Sequence, residues 1–139
     1  MNKRDIQKIV KKYPCLTTKG FGVEYRTGEK SEDTRKRVKE AQQKLLESAE
    51  ICTKICEWLK DVIRTKRPNK QAGSYTMKHE VENAIGEYCS NGQFICAAIH
   101  MGFIFDCNGI NACFNISSRC IHVKQKAQMR QWRKDMRIK

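Results

Sequence analysis

The chain has 139 residues, a length that suits one domain with a core of its own. Lys and Arg number 28 against 15 Asp and Glu, for a net charge of +13, and nowhere do about 18 apolar residues run together, so no membrane span is expected. The opening stretch MNKRDIQKIV lacks the apolar core of a secretory leader, and eight cysteines fall short of a disulfide scaffold's density. Free, buried thiols in a reducing cytoplasm are therefore expected; an upstream leader would instead make four disulfides possible.

The charge is unevenly placed. Residues 1–40 hold 12 basic and 6 acidic side chains, 41–70 hold 7 and 4, 71–116 hold 1 and 4, and 117–139 hold 8 and 1. An apolar centre between cationic arms follows, and a polyanionic partner would meet the arms.

Taken in chain order, residues 2–13 predict a short basic helix ended by Pro14, and Lys19 to Lys30 reads as a loop. Ser31 then caps a long helix with Glu32 and Asp33 in its first turn and Arg64, Lys66 and Arg67 near its end, stopped by Pro68. Val38, Ala41, Leu45, Ser48, Cys52, Ile55, Leu59 and Val62 fall three and four apart on one stripe of that helix. The stripe packs either on this chain's own core or on a second copy, as a homodimer seam.

The stretch RPNKQAGS, Arg67 to Ser74, reads as a linker. Beyond it Met77, Val81, Ala84, Ile85 and Tyr88 keep helical spacing behind a Ser74 cap. Ser90 and Gln93, three apart, form a capping box that opens the next helix, and Gly102 is placed to close it. With Asn108-Gly109 as a two-residue turn, Phe103, Phe105, Cys107, Ile110, Ala112, Phe114 and Ile116 share one nearly all-apolar face of a β-hairpin. Ile104, Asp106, Asn111, Cys113 and Asn115 take the other face. The last segment, 118–139, predicts a helix with Met129, Trp132 and Met136 on one edge and cations over most of the rest.

The expected architecture is mainly α with a β-hairpin (α+β), in a single domain over 1–139. A basic helical part covers 1–67, a compact helix-helix-hairpin core 68–117, and a basic C-terminal helix 118–139.

Helix, turn, helix and hairpin is also the order of a winged-helix DNA reader. The candidate recognition helix, however, offers Phe94, Ile95, Cys96, Ala97, Ala98, Ile99 and Met101, which want burial, and only Asn91 and Gln93 at its start could read a groove. For a metal, Cys107, Cys113, Cys120 and His122 are able ligands, but the hairpin register sends Cys107 and Cys113 to opposite faces; Cys52 and Cys56 share a helix face as half a site. For catalysis, KHEVEN holds His79, Glu80 and Glu82 without the second His of a helical zinc motif. Neither a catalytic group, a metal nor a cofactor is assigned.

The run from Ser74 to Phe103 resembles a segment of small proteins from bacterial plasmids, phages and other mobile elements. The resemblance is carried by Ser74-Tyr75, Lys78-His79, Glu82, Tyr88, Ser90-Asn91-Gly92, Phe94-Ile95, Ala97-Ala98 and Gly102-Phe103. It implies a bacterial or phage cytoplasmic setting and an accessory, regulatory or host-defence role, and it brings no mechanism with it.

The function expected is a non-enzymatic nucleic-acid-binding accessory protein. Its phosphate contacts are assigned to Lys124, Lys126, Arg130, Arg133, Lys134 and Arg137, with Trp132 as a stacking platform and Arg35, Lys36 and Arg37 as a second patch. The alternative is a protein-binding module, an inhibitor or adaptor in host defence or anti-defence, whose basic patches meet an acidic protein surface.

Overall fold

The computed structural model describes residues 1–122. The chain from residue 123 on, with Lys124, Lys126, Arg130, Trp132, Arg133, Lys134 and Arg137, lies outside the described residues. Of the helix expected over 118–139, the first residues form instead a single 3-10 turn, Ser118–Cys120, whose N–H groups are capped by Ser117.

Five helices and two small antiparallel hairpins build the described part. They are α1 (Lys3–Lys12), β1 (Leu16–Thr17), β2 (Gly20–Phe21), α2 (Ser31–Leu46), α3 (Ala49–Leu59), α4 (Ser74–Ile85), α5 (Asn91–His100), β3 (Phe105–Asn108) and β4 (Asn111–Phe114). This is the mainly α, α+β class that the hydrophobic periodicities indicate.

Helix α5 is the centre. Ser90 Oγ accepts from the Gln93 N–H at 3.1 Å while Gln93 Oε1 accepts from the Ser90 N–H at 2.8 Å, so the expected capping box starts the helix. Gly102, at φ 81, follows its last turn in the left-handed conformation that a side chain would resist. Phe94, Ile95, Cys96, Ala97 and Ala98 are all completely buried, which for Phe94 and Ile95 stabilises the fold by about 1.5–3 kcal/mol each. Phe94 meets Phe114 of β4 edge-on at 5.6 Å. Around α5 pack α1, α3, α4, β1, β2 and β4.

The long helix predicted from Ser31 to Arg67 is two helices and an extended segment. It breaks at Glu47 and Ser48, because Ser48 Oγ donates back to the Lys44 carbonyl and accepts from Gln93 Nε2, both at 2.8 Å. The bend lets Leu45, Cys52, Ile55 and Leu59 all face the core, where each is buried. The stripe once open to a homodimer seam is thereby filled by this chain itself. Ser31 is not the cap either; Lys30 holds that position with no side-chain hydrogen bond.

Helix α3 stops at Leu59, well short of Pro68, because the following backbone is claimed by the hairpin. Arg64 bridges to Ile116 and Gly73 to Cys113, the Asn69 N–H donates to Phe114 O, and the Phe114 N–H to Ala72 O. The expected linker is therefore a packed border of the β3–β4 hairpin, with Ala72 fully buried. Arg64 lies 3.8 Å over the Phe103 ring and donates to the Met101 and Gly102 carbonyls, a cation at the C-terminus of α5. Ser74 is the first residue of α4 rather than its cap, and its hydroxyl accepts from the Ala112 N–H at 3.1 Å.

The hairpin forms with its turn moved by one residue. Phe105 pairs with Phe114 and Cys107 with Ala112, where Phe105 with Ala112 and Cys107 with Ile110 were expected. Gly109 alone takes positive φ, 63, at the first central turn position, which spares Asn108 that conformation. Each partner shifts by two, so the faces are conserved and Ala112, Phe114 and Ile116 still point inward, fully buried. Ile110's carbonyl is then placed to accept from the Phe21 N–H at 2.9 Å.

The β1–β2 turn, which the sequence pattern did not reveal, seats directly on the start of α5. A Cβ at Gly92 would lie 1.7 Å from the Thr17 carbonyl oxygen, closer than any side chain tolerates. Gly92→Ala is expected to destabilise the fold by about 1–3 kcal/mol, read as a lower urea midpoint; an unchanged midpoint would show that this close approach is not made.

Candidate functional site

The basic surface starts with α1. Asn2 and Asp5 cap it reciprocally, and Ile6 and Ile9 turn into the core. Lys3, Arg4, Lys8, Lys11 and Lys12 are left exposed on the other side, with Arg4, Lys8 and Lys12 in one i, i+4 row. Like charges so spaced repel by about 0.2–0.5 kcal/mol per pair. Next to α1 packs α2, which exposes Arg35, Lys36, Lys39 and Lys44. Of the second patch named from sequence, Arg37 is engaged elsewhere: its guanidinium makes two bonds to Glu29, at 2.8 and 2.7 Å, and one to the Glu24 carbonyl. The hydrogen bond from Arg37 also holds the Glu29 carboxyl below its ordinary range. Arg35 and Lys36 remain outward-facing.

The winged-helix reading fails on two counts. Helix α5 is enclosed on all sides, and the two residues that kept the reading open are spent on internal bonds. Asn91 Nδ2 donates to the Lys19 carbonyl at 2.9 Å and to Asn111 Oδ1 at 2.8 Å, and Gln93 Nε2 donates to Ser48.

The cysteines fall into two groups. Cys52, Cys56, Cys89 and Cys96 are buried thiols, whereas Cys15 and Cys107 are exposed. Burial pushes the Cys56 thiol up to about 11 and Cys89 up to about 12, and the neighbouring Cys52 thiol, with burial, pushes Cys96 up as well. Thiols so raised are poor nucleophiles and poor metal ligands. Among the described residues no group of three or more Cys, His, Asp or Glu side chains is arranged to hold a metal ion.

His79, Glu80 and Glu82 part company. Glu80 is wholly buried and accepts from the His122 N–H at 3.0 Å. Glu82 belongs to a separate clamp: its carboxylate accepts from Lys78 Nζ at 2.7 Å, meets His79 Nδ1 at 3.1 Å, and accepts from the Cys89 N–H at 3.3 Å. Lys78 Nζ also donates to the Cys89 carbonyl, so the ion pair ties the loop after α4 back onto that helix.

Above this clamp opens a cleft of about 420 Å³ whose walls include Lys19, Tyr75, Lys78, Tyr88, Asn91 and Asn111. Lys78 is only 6% exposed, and its ammonium lies 4.8 Å from the Tyr88 ring centre and 5.6 Å from that of Tyr75. Both tyrosines stand out into solvent, Tyr88 at 76% exposure. Asn91 is 93% buried by contrast, and with its N–H₂ fully committed its Oδ1 has no hydrogen-bond partner. An orphaned acceptor of this kind costs about 1–3 kcal/mol.

Tyr75, Lys78, His79, Glu82, Tyr88 and Asn91, scattered over 17 positions of the sequence, meet at this one place. They are polar residues of the run that resembles mobile-element proteins. The Lys78–Glu82 spacing of i, i+4 was the available signal for the clamp; nothing in the spacing marked the cleft, whose far wall comes from Lys19 and Asn111. Compared with family models, with curated proteins and with solved structures, the chain matches none.

Burial pushes the Glu82 carboxyl up, but the bonds from Lys78, Cys89 and His79 outweigh it and hold the group below its ordinary 4.5. Its stabilising contribution is therefore present above about pH 4.5 and lost as the pH falls through the lowered folded value. Glu82→Gln should weaken the fold at neutral pH and flatten the acid limb of its stability between roughly pH 5 and pH 3; an acid limb as steep as the wild type's would remove Glu82 from this role.

Proposed function

We propose that the protein binds nucleic acid as a non-enzymatic accessory or regulatory protein of a bacterial or phage mobile element, through phosphate contacts made by basic helices. The observation that carries the reading is the cationic outer face of α1 beside α2. Lys3, Arg4, Lys8, Lys11 and Lys12, with Arg35, Lys36, Lys39 and Lys44, are all exposed on two adjacent helices whose other faces are core. A row of cations at i, i+4 opposes helix formation, and the opposition is relieved when phosphates neutralise it. Lys124, Lys126, Arg130, Arg133, Lys134 and Arg137 add charge of the same sign from the C-terminal segment, with Trp132 among them.

The protein-binding alternative has one observation in its favour. Ile63 and Ile104 are both more than half exposed on backbone that brackets Asn115 and Ser117. An inhibitor or adaptor docking on a host complex could place them against an apolar patch and its cations against acidic residues. Retention of a protein partner from nuclease-treated lysate supports that reading, and loss of every partner supports nucleic acid.

Affinity for a labelled oligonucleotide should fall linearly with salt on a log-log scale. Lys8→Gln with Lys12→Gln should weaken binding and lower the slope by about 0.7–0.9 per cation removed, with no loss of thermal stability. Salt-indifferent binding, or an unchanged slope, would count against phosphate contact by α1.

A further inference from the structure

We infer that the cleft between Tyr75 and Tyr88 receives one unstacked base of a single-stranded nucleic acid, with Tyr88 as the stacking face and Asn91 Oδ1 as the acceptor for a base N–H. The inference rests on the nucleic-acid reading and names the form of ligand that one site would take.

Three features of the cleft converge on a base. The first is an aromatic surface that is both exposed and fixed. Tyr88 is 76% exposed, yet its ring is held 4.8 Å from the Lys78 ammonium, which is itself fixed by Glu82 and the Cys89 carbonyl. A ring immobilised in this way offers a stacking platform whose ordering cost is already met by the fold. Lys78 holds the platform and is not the ligand's partner, since its protons are directed to groups of the chain.

The second is the orphaned acceptor. Asn91 is 93% buried in the cleft wall, and its orientation is set because both N–H₂ protons have acceptors, the Lys19 carbonyl and Asn111 Oδ1. Its carbonyl oxygen is left with no donor. A base N–H is a donor of the right kind, and it carries a flat π face beside it.

The third is the charge around Tyr88. On one side, Lys19 and Lys44 line the adjoining depression with it. On the other, Glu87 is held by Lys54 at 2.8 Å. A sugar-phosphate backbone leaving the cleft is therefore drawn toward Lys19 and Lys44. Duplex does not fit these needs together, because its base faces are stacked on one another and its N–H donors are paired; an unstacked base offers both.

The test compares two labelled strands of equal length and charge by fluorescence anisotropy on the full chain, one of about 12 thymidines and one abasic. The thymidine strand should bind roughly tenfold more tightly, Tyr88→Ala should bring its affinity down to that of the abasic strand, and Tyr88→Phe should preserve the difference. Salt-sensitive binding that is equal for both strands, or a preference that survives Tyr88→Ala, would overturn the cleft assignment while leaving phosphate binding intact. No salt-sensitive binding of either strand would overturn both readings. If the Tyr88→Ala chain instead loses a protein retained from nuclease-treated lysate while both strands bind equally, the cleft belongs to a protein and the assignment is wrong. Tyr88 is far enough exposed that its removal leaves the core untouched, and circular dichroism confirms that each variant is folded before binding is read.

Discussion

A helix that is apolar on every side has no face to offer water, and α5 is such a helix. From Phe94 to Ala98 no residue keeps measurable exposure, so the surrounding elements have to close over it completely. Helices α1, α3 and α4 and the strands β1, β2 and β4 all touch it. The arrangement of charge follows. Segment 71–116, which supplies α4, α5 and the β3–β4 hairpin, holds a single basic residue, Lys78, and that one is buried in an ion pair. The remaining cations stand on the covering elements, where their outer faces are exposed.

Enclosure is most demanding where α5 begins. Ser90 caps the helix, Asn91 joins the Lys19 carbonyl to Asn111, and Gly92 lets the Thr17 backbone lie against the helix with no Cβ between them. Three consecutive residues thus hold together the start of α5 and two hairpin turns that are distant in sequence. Gly20 completes the junction from the other side, at φ 124 and with Ile110's carbonyl oxygen 2.2 Å from where a Cβ would stand. The same junction shapes the cleft: the bonds that orient Asn91 are the ones that leave its oxygen without a donor. Packing and recognition are therefore not alternatives for this motif, since the first sets the geometry on which the second depends.

How much of this could be read from the sequence depended on the distance between the interacting groups. The capping box of α5 is a three-residue relation, and it forms as expected. The two faces of the β3–β4 hairpin follow from alternation, and they hold even though the turn sits one residue later than Asn108-Gly109 suggested, because Gly109 alone adopts positive φ. The break at Ser48 was illegible, for the group that stabilises it, Gln93, lies 45 residues away. The same holds for the stretch 67–74, whose Pro and Gly signal a linker while its hydrogen bonds go to Phe114 and Ile116. At the candidate site, exposure of Arg35 and Lys36 follows from their place on α2, but the capture of Arg37 by Glu29 depends on how the preceding loop folds back. The tyrosine cleft needed Lys19, Tyr88 and Asn111 brought together from three elements, and no local pattern announces that.

Everything above depends on α5 being sealed inside while the basic helices face outward. Native-state hydrogen exchange, with and without a saturating single-stranded oligonucleotide, addresses this directly. The amides from Phe94 to Ala98 should be among the slowest in the protein and insensitive to the added strand. Rapid exchange there, or protection that appears only when the strand is bound, would mean that α5 is an exposed contact helix and that the assignment of inside and outside is reversed.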